Sequence, residues 1–194
     1  MSKFTQPIIR GVVYCIVYTL LSNTNLYAQS KSKVAFELEA DPLAYVLNGY
    51  SLHAGFNYGS FRSSVGIFAI KQPSFFVNND NFSVYSSGFD LKTDYLFKNT
   101  KGLYAGIQFT YGNDEVKLKS DPQIEQAIKG LNIGLRSGYR FMFGKAENDY
   151  KGFYINPWVA LIFATNTQDR IIGSETYQPS AVSIFPAVHL GWRF

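Results

Sequence analysis

The chain has 194 residues, of which 46% are hydrophobic, 17% aromatic and only 16% charged, with a formal net charge of +4. A disordered chain is poor in aromatics, a helical membrane protein needs apolar runs of about 20 residues, and a disulfide scaffold needs many cysteines. With 17 phenylalanines, 14 tyrosines, one cysteine and a mean hydropathy of −0.06, this chain fits none of these and points to one all-β domain of alternating apolar and polar residues.

Residues 1–28 read as a secretory signal peptide. Lys3 and Arg10 give the charged start, and Gly11 to Leu21 is a short apolar run. Ser22 to Ala28 is a polar stretch ending in a small residue, so that cleavage leaves Gln29 first. Leu26 sits where a small residue is preferred, and an uncleaved anchor is the alternative. Cys15 lies in the apolar run and leaves with it. The expected mature domain, residues 29–194, then has no cysteine and carries 16 basic against 14 acidic residues. That near balance offers nothing to nucleic acid.

The domain reads as eight alternating segments: 33–41, 50–59, 62–72, 83–97, 102–113, 131–144, 152–166 and 181–194. Taking every second residue, one face runs Val34, Phe36, Leu38, Ala40 in the first, Tyr50 to Tyr58 in the second and Ser63 to Ala69 in the third. It continues Tyr85 to Phe97, Leu103 to Tyr111, Leu131 to Phe143, Phe153 to Phe163, and Val182 to Phe194. No charged residue and no glycine falls on it. The opposite face carries Glu37, Glu39, Asp41, Asp90 and Asp94, five bases (Arg62, Lys92, Arg136, Arg140, Arg193), both histidines, His53 and His189, and many glycines. A soluble sandwich spreads its charges over its outside. Charge and small residues gathered on one face, with bulky apolar residues on the other, suit the crowded inside and lipid-facing outside of a narrow transmembrane barrel.

The connections alternate as well. Those after strands 2, 4 and 6 are short: 60–61, 98–101 and 145–151. Those after strands 1, 3, 5 and 7 are longer, up to 167–180. Short periplasmic turns and longer external loops are the pattern of bacterial outer-membrane barrels, and an even strand count puts both ends on the periplasmic side. Two loops, Asp41–Gly49 and Asp121–Gly130, open with Asp-Pro and close with glycine, the grammar of a short helical turn.

The last residues alternate Val188, Leu190, Trp192 and Phe194, ending on an aromatic. This resembles the C-terminal assembly signal of outer-membrane barrels. The chain as a whole resembles the small eight-stranded bacterial outer-membrane barrels of the OmpX and OmpA-transmembrane-domain type. The resemblance implies a Gram-negative outer membrane, outer-membrane lipid as surroundings, delivery by periplasmic chaperones and the barrel-assembly machinery, no cofactor and no metal. It leaves the external partner unknown.

Motifs of soluble enzymes, phosphate loops and metal clusters are missing from the sequence. One constellation suggests chemistry: Ser51 and His53 share the inner face about 7 Å apart by strand rise, and Asp41 ends the preceding strand on that face. Serine, histidine and an acid are the parts of an acyl-transfer site, so a lipid acyl hydrolase or transferase is one alternative. A narrow, porin-like pore for small solutes is another. Against both stands the expectation that the inner charges pair into a plug. The inside of an eight-stranded barrel is just filled by side chains, and the two signs balance, whereas a selective channel shows one dominant sign. The leading reading is a non-enzymatic barrel acting in envelope structure or surface interaction through its external loops.

Overall fold

The computed structural model describes residues 34–77 and 79–194. The proposed leader, residues 1–28, lies outside them. The elements in order are β1 (Val34–Ala40), a short helix α1 (Pro42–Val46), β2 (Tyr50–Tyr58), β3 (Phe61–Lys71), β4 (Phe82–Lys98), β5 (Lys101–Leu118), β6 (Glu125–Met142), β7 (Gly152–Ala164), β8 (Arg170–Ile172), β9 (Glu175–Tyr177) and β10 (Val182–Arg193). Eight of the strands close into an antiparallel barrel in the order β1-β10-β7-β6-β5-β4-β3-β2. The remaining pair, β8 and β9, forms a separate ribbon within the β7–β10 connection. The topology is therefore up-and-down, as the sequence predicts.

The strand register fixes the shape. Starting at Glu37, the paired row passes Gly55, Ser64, Lys92, Gln108, Gly134 and Ile162 and arrives at Ser183. Across the closing seam, however, Glu37 pairs with Arg193, ten residues further along the same strand. A stagger of ten over eight strands implies a tilt of about 40° and a backbone radius of about 8 Å, at ~3.3 Å per residue and ~4.8 Å between strands. Such a lumen has room for side chains and little else.

The alternation predicted for each strand is the one observed. Phe36 is 65%, Leu135 55% and Ile184 64% exposed, against 2% for Glu37 and 1% each for Arg62, Arg140 and Arg193. Ala69 is the one exception on the apolar face, at 3%. The chain returning from α1 lies over it: Lys71 N donates to Leu47 O, and Gly49 packs so closely on the Ala69 carbonyl that any side chain at 49 would overlap it. Glycines on the inner face serve a similar purpose. The His53 ring occupies the space that a β-carbon on Gly66 would need.

Three expectations need correction. Asp121–Gly130 is not a helical turn. Asp121 Oδ1 accepts from Gln123 N at 3.1 Å and its carbonyl accepts from Ile124 N, and the chain is already extended at Glu125. Asp-Pro starts turns as readily as helices, and residues 125–129 find strand partners in 113–117, which a local reading cannot see. For the same reason β5 and β6 run well beyond 102–113 and 131–144, each to 18 residues. Third, the 167–180 connection holds the β8–β9 ribbon. At Asp41 the helical reading is right: its Oδ1 accepts from Leu43 N at 2.9 Å, with Pro42 in the first turn.

Both strand prolines sit where a ladder is absent. β1 pairs with β10 only through 37–40 and 190–193, and beyond that α1 packs against β2, β3 and β10 in place of a strand. Pro186 lies on this uncovered edge of β10. Pro157 marks a break in the β6–β7 ladder, which passes from Trp158 to Ile155 without pairing it. Proline has no N–H to give a ladder, so both positions tolerate it.

Candidate functional site

The barrel has a turn end, holding the β2–β3, β4–β5 and β6–β7 connections, and a loop end. Its interior divides between them. The half toward the turn end is filled by an ion-pair network centred on Arg62. The Arg62 guanidinium meets Glu37 at 2.8 Å, Glu39 at 2.6 Å and Asp94 at 3.0 Å. Glu37 also receives Arg140 at 2.7 Å and Arg193 at 2.8 Å, and Tyr154 Oη donates to it at 3.3 Å. Arg136 faces Asp94 at 3.4 Å and lies over the Trp158 ring, 4.5 Å from its centroid. A buried carboxylate or guanidinium is costly unless it is paired and hydrogen-bonded. Here strands distant in sequence supply the partners, and β1 brings both central glutamates.

Above this network, at mid-height, lies a second cluster. Lys92 Nζ is 3.0 Å from Asp90 Oδ2 and 2.6 Å from His53 Nε2, and His53 stacks on His189 with centroids 4.8 Å apart. His189 Nδ1 meets Glu39 Oε2 at 3.0 Å, tying the two clusters together. His53 Nε2 thus sits between a donor, the Lys92 ammonium, and an acceptor, the Asp90 carboxylate at 3.1 Å. This cluster is the floor of a cavity of about 220 Å³ that occupies the loop-end half of the barrel.

Every charge assigned to the inner face from sequence is buried, and the structure joins all of them but Asp41 into these two clusters. Ser51, His53 and Asp41 all line the cavity. Their contacts give them separate tasks: His53 turns to Asp90 and Lys92, while Asp41 caps α1. The sequence reading missed the uncharged members. Asn156 bridges Tyr104 and Glu39, Asn57 accepts from Arg193, and Tyr104 accepts from Arg136. Their inward phase was readable, but nothing in a tyrosine or asparagine announces a role in charge pairing. Asp149 was missed for another reason. It sits in the β6–β7 turn and reaches Arg193 at 2.9 Å only because the fold brings the C-terminal strand beside it.

No family model matches the chain, and no curated protein does. Among solved structures, Neisserial surface protein A is similar at 12% identity, covering 83% of this chain and 96% of that one, with a TM-score of 0.44.

Proposed function

We propose that the protein spans the outer membrane of a Gram-negative bacterium as a non-enzymatic barrel, and acts in envelope structure or surface interaction through its loop end. The observation that carries this reading is the exposed, uncharged apolar band around a barrel whose charges at that height are turned inward. From Leu131 to Phe143 the band follows roughly 40 Å of strand, or about 30 Å of height at the tilt derived above. That matches a bilayer core. Closure leaves little unpaired strand edge to face lipid, and α1, with Leu43, Tyr45 and Val46 exposed, covers the stretch where β1 stops. Outer-membrane lipid surrounds the band. Periplasmic chaperones and the barrel-assembly machinery read the terminal Val188, Leu190, Trp192 and Phe194, of which Trp192 and Phe194 are about half exposed. The ion-pair network closes the lumen to solutes.

Expression in a Gram-negative host, followed by membrane fractionation and gel migration with and without boiling, tests this. A heat-modifiable band in the outer-membrane fraction is the expected result, and a protein recovered in the aqueous fraction would overturn the reading. Cells expressing the wild type or His53→Ala should show the same lipid acyl composition. A difference that disappears with His53→Ala would replace the non-enzymatic reading with the acyl-transfer one.

A further inference from the structure

We propose that the cavity in the loop-end half of the barrel is a binding site for a small amphiphile whose head carries hydroxyl groups and no negative charge. The argument begins with what the fold leaves unfinished. His53 Nδ1, Asp90 Oδ1, Gln108 Oε1 and Trp158 Nε1 are buried without a partner, in residues only 5 to 7% exposed, and all four residues line the cavity. Buried polar groups are paired in nearly every native protein, and a cluster of exceptions in residues that line one cavity calls for an explanation. Asp90 Oδ1 and Gln108 Oε1 accept, Trp158 Nε1 donates, and His53 Nδ1 does one or the other according to its tautomer. A hydroxylated head satisfies both kinds.

Charge narrows the choice. The acids lining the cavity are Asp41, Asp90 and Asp114, and the bases are Lys92, His53 and His189, each already engaged: Lys92 and His53 with Asp90 and with one another, His189 with Glu39. A carboxylate or phosphate head would meet net negative charge with no free cation to receive it. Apolar side chains also line it, Phe76, Ile162 and Phe185 among them, with Ile128 nearer the loop end. The cavity is therefore polar at its floor and around Gln72, Ser86 and Asp114, with an apolar side where Phe76 and Trp158 meet Phe185 beside Ile162, and an amphiphile lies with its head on the floor and its tail along that side. Its 220 Å³ is small beside the ~300 to 1,000 Å³ of drug-sized sites, so the tail is short.

The chain itself offers the probe. Of its two tryptophans, Trp158 lines the cavity and Trp192 lies on the outer face. In a Trp192→Phe background, refolded into bilayer nanodiscs, Trp158 fluorescence is titrated with 1,2-octanediol and with octanoate. The diol should give a saturable change, and octanoate should bind at least about tenfold more weakly. Gln108→Leu removes one unpaired acceptor and should weaken the diol by about tenfold. Ile128→Trp, read by competition with a spin-labelled diol, fills the space and should abolish binding. Heat-modifiable migration checks that each variant is folded, independently of ligand. The proposal is overturned if octanoate binds as well as the diol, if the diol signal never saturates, or if Ile128→Trp binds undiminished.

Discussion

The outward apolar band and the extension beyond it are built on the same three strands, β4, β5 and β6, with opposite polarity. Within the band, Phe89, Leu91, Ile107, Phe109, Ile133 and Leu135 point out, while Asp90, Lys92, Gln108 and Arg136 point in. Past Ser87, Tyr111 and Leu131 the pleat keeps its phase, but Glu115, Lys117 and Lys129 are now on the outside. Phe82, Val84, Val116, Leu118 and Ile128 pack inside, together with Ile172 and Tyr177 from the β8–β9 ribbon. The band is an inverted protein and the extension an ordinary one. Alternation by itself says only that a strand has two unlike faces; which face is inside depends on the solvent at that height. In the outer-membrane reading proposed above, the reversal marks where apolar surroundings end and water begins.

The largest expected effect lies in the band's interior. Glu37→Ala removes the carboxylate shared by Arg62, Arg140 and Arg193 and leaves three buried cations short of a partner. Breaking a buried pair in this way costs about 3–5 kcal/mol. The urea midpoint of the refolded barrel should drop accordingly, and planar bilayers should show conductance that the wild type lacks. Wild-type stability with a closed lumen would refute the plug. Arg136→Ala and Arg140→Ala should move both readouts the same way, by less.

In the extension the vulnerable element is apolar. Phe82 is 1% exposed and meets Tyr177 edge-on at 5.3 Å. Phe82→Ala should cost about 3 kcal/mol or more as a buried aromatic truncation, but locally. Limited proteolysis should cut the β8–β9 ribbon while the band stays heat-modifiable. Loss of the whole barrel would show that the two regions fold as one unit.

One charged side chain can be placed on both sides of the boundary. Leu135→Arg, near the middle of the lipid face, should cost about 2–4 kcal/mol. Ala127→Arg, outward on the same strand in the extension, should change stability by less than about 0.5 kcal/mol. Equal effects, measured as urea midpoints in the same lipid, would remove the boundary.

Much of this division was present in the sequence. The phase of all eight strands, the burial of all ten charges and the closed up-and-down barrel follow from period-two alternation, because each barrel strand is one pleat between two unlike environments. The inversion at Tyr111 was present too, in Asn113, Glu115 and Lys117 after Phe109. A reading that ends the strand where its apolar face ends cannot register it. Other features depend on pairings that no local pattern contains. Asp121-Pro122 and Asp41-Pro42 begin alike, yet one leads into a strand and the other into a helix, because only 125–129 has a partner waiting at 113–117. The ten-residue stagger that sets tilt and radius belongs to the closure of the sheet. The cavity is likewise a property of the whole, formed where the ion pairs stop and α1 replaces β1.

The smallest effect is a pH dependence confined to the extension. Asp114 lies above the band, half-buried beside the extension's apolar core, and its Oδ1 accepts from Ser86 Oγ at 2.5 Å. Burial pushes its carboxyl above the ordinary value of 3.8, and the hydrogen bond from Ser86 offsets only part of this. Tyr177, in the ribbon packed nearby, is pushed up to about 12 by burial and by the Asp114 charge. A carboxyl raised in the folded state binds its proton more tightly than in the unfolded chain. Its contribution is therefore fully present below the unfolded value and is lost as pH rises through the folded one. Amide exchange at residues 82–86 and 112–118, corrected for intrinsic rates, should report a looser extension at about pH 8 than at about pH 4. Amides in the band should show no such trend from this group. Asp114→Asn keeps an acceptor for Ser86 and removes the titration, so its extension should be equally protected at both pH values. A pH trend that survives Asp114→Asn would assign it to another group and leave the extension's carboxylate without consequence for its stability.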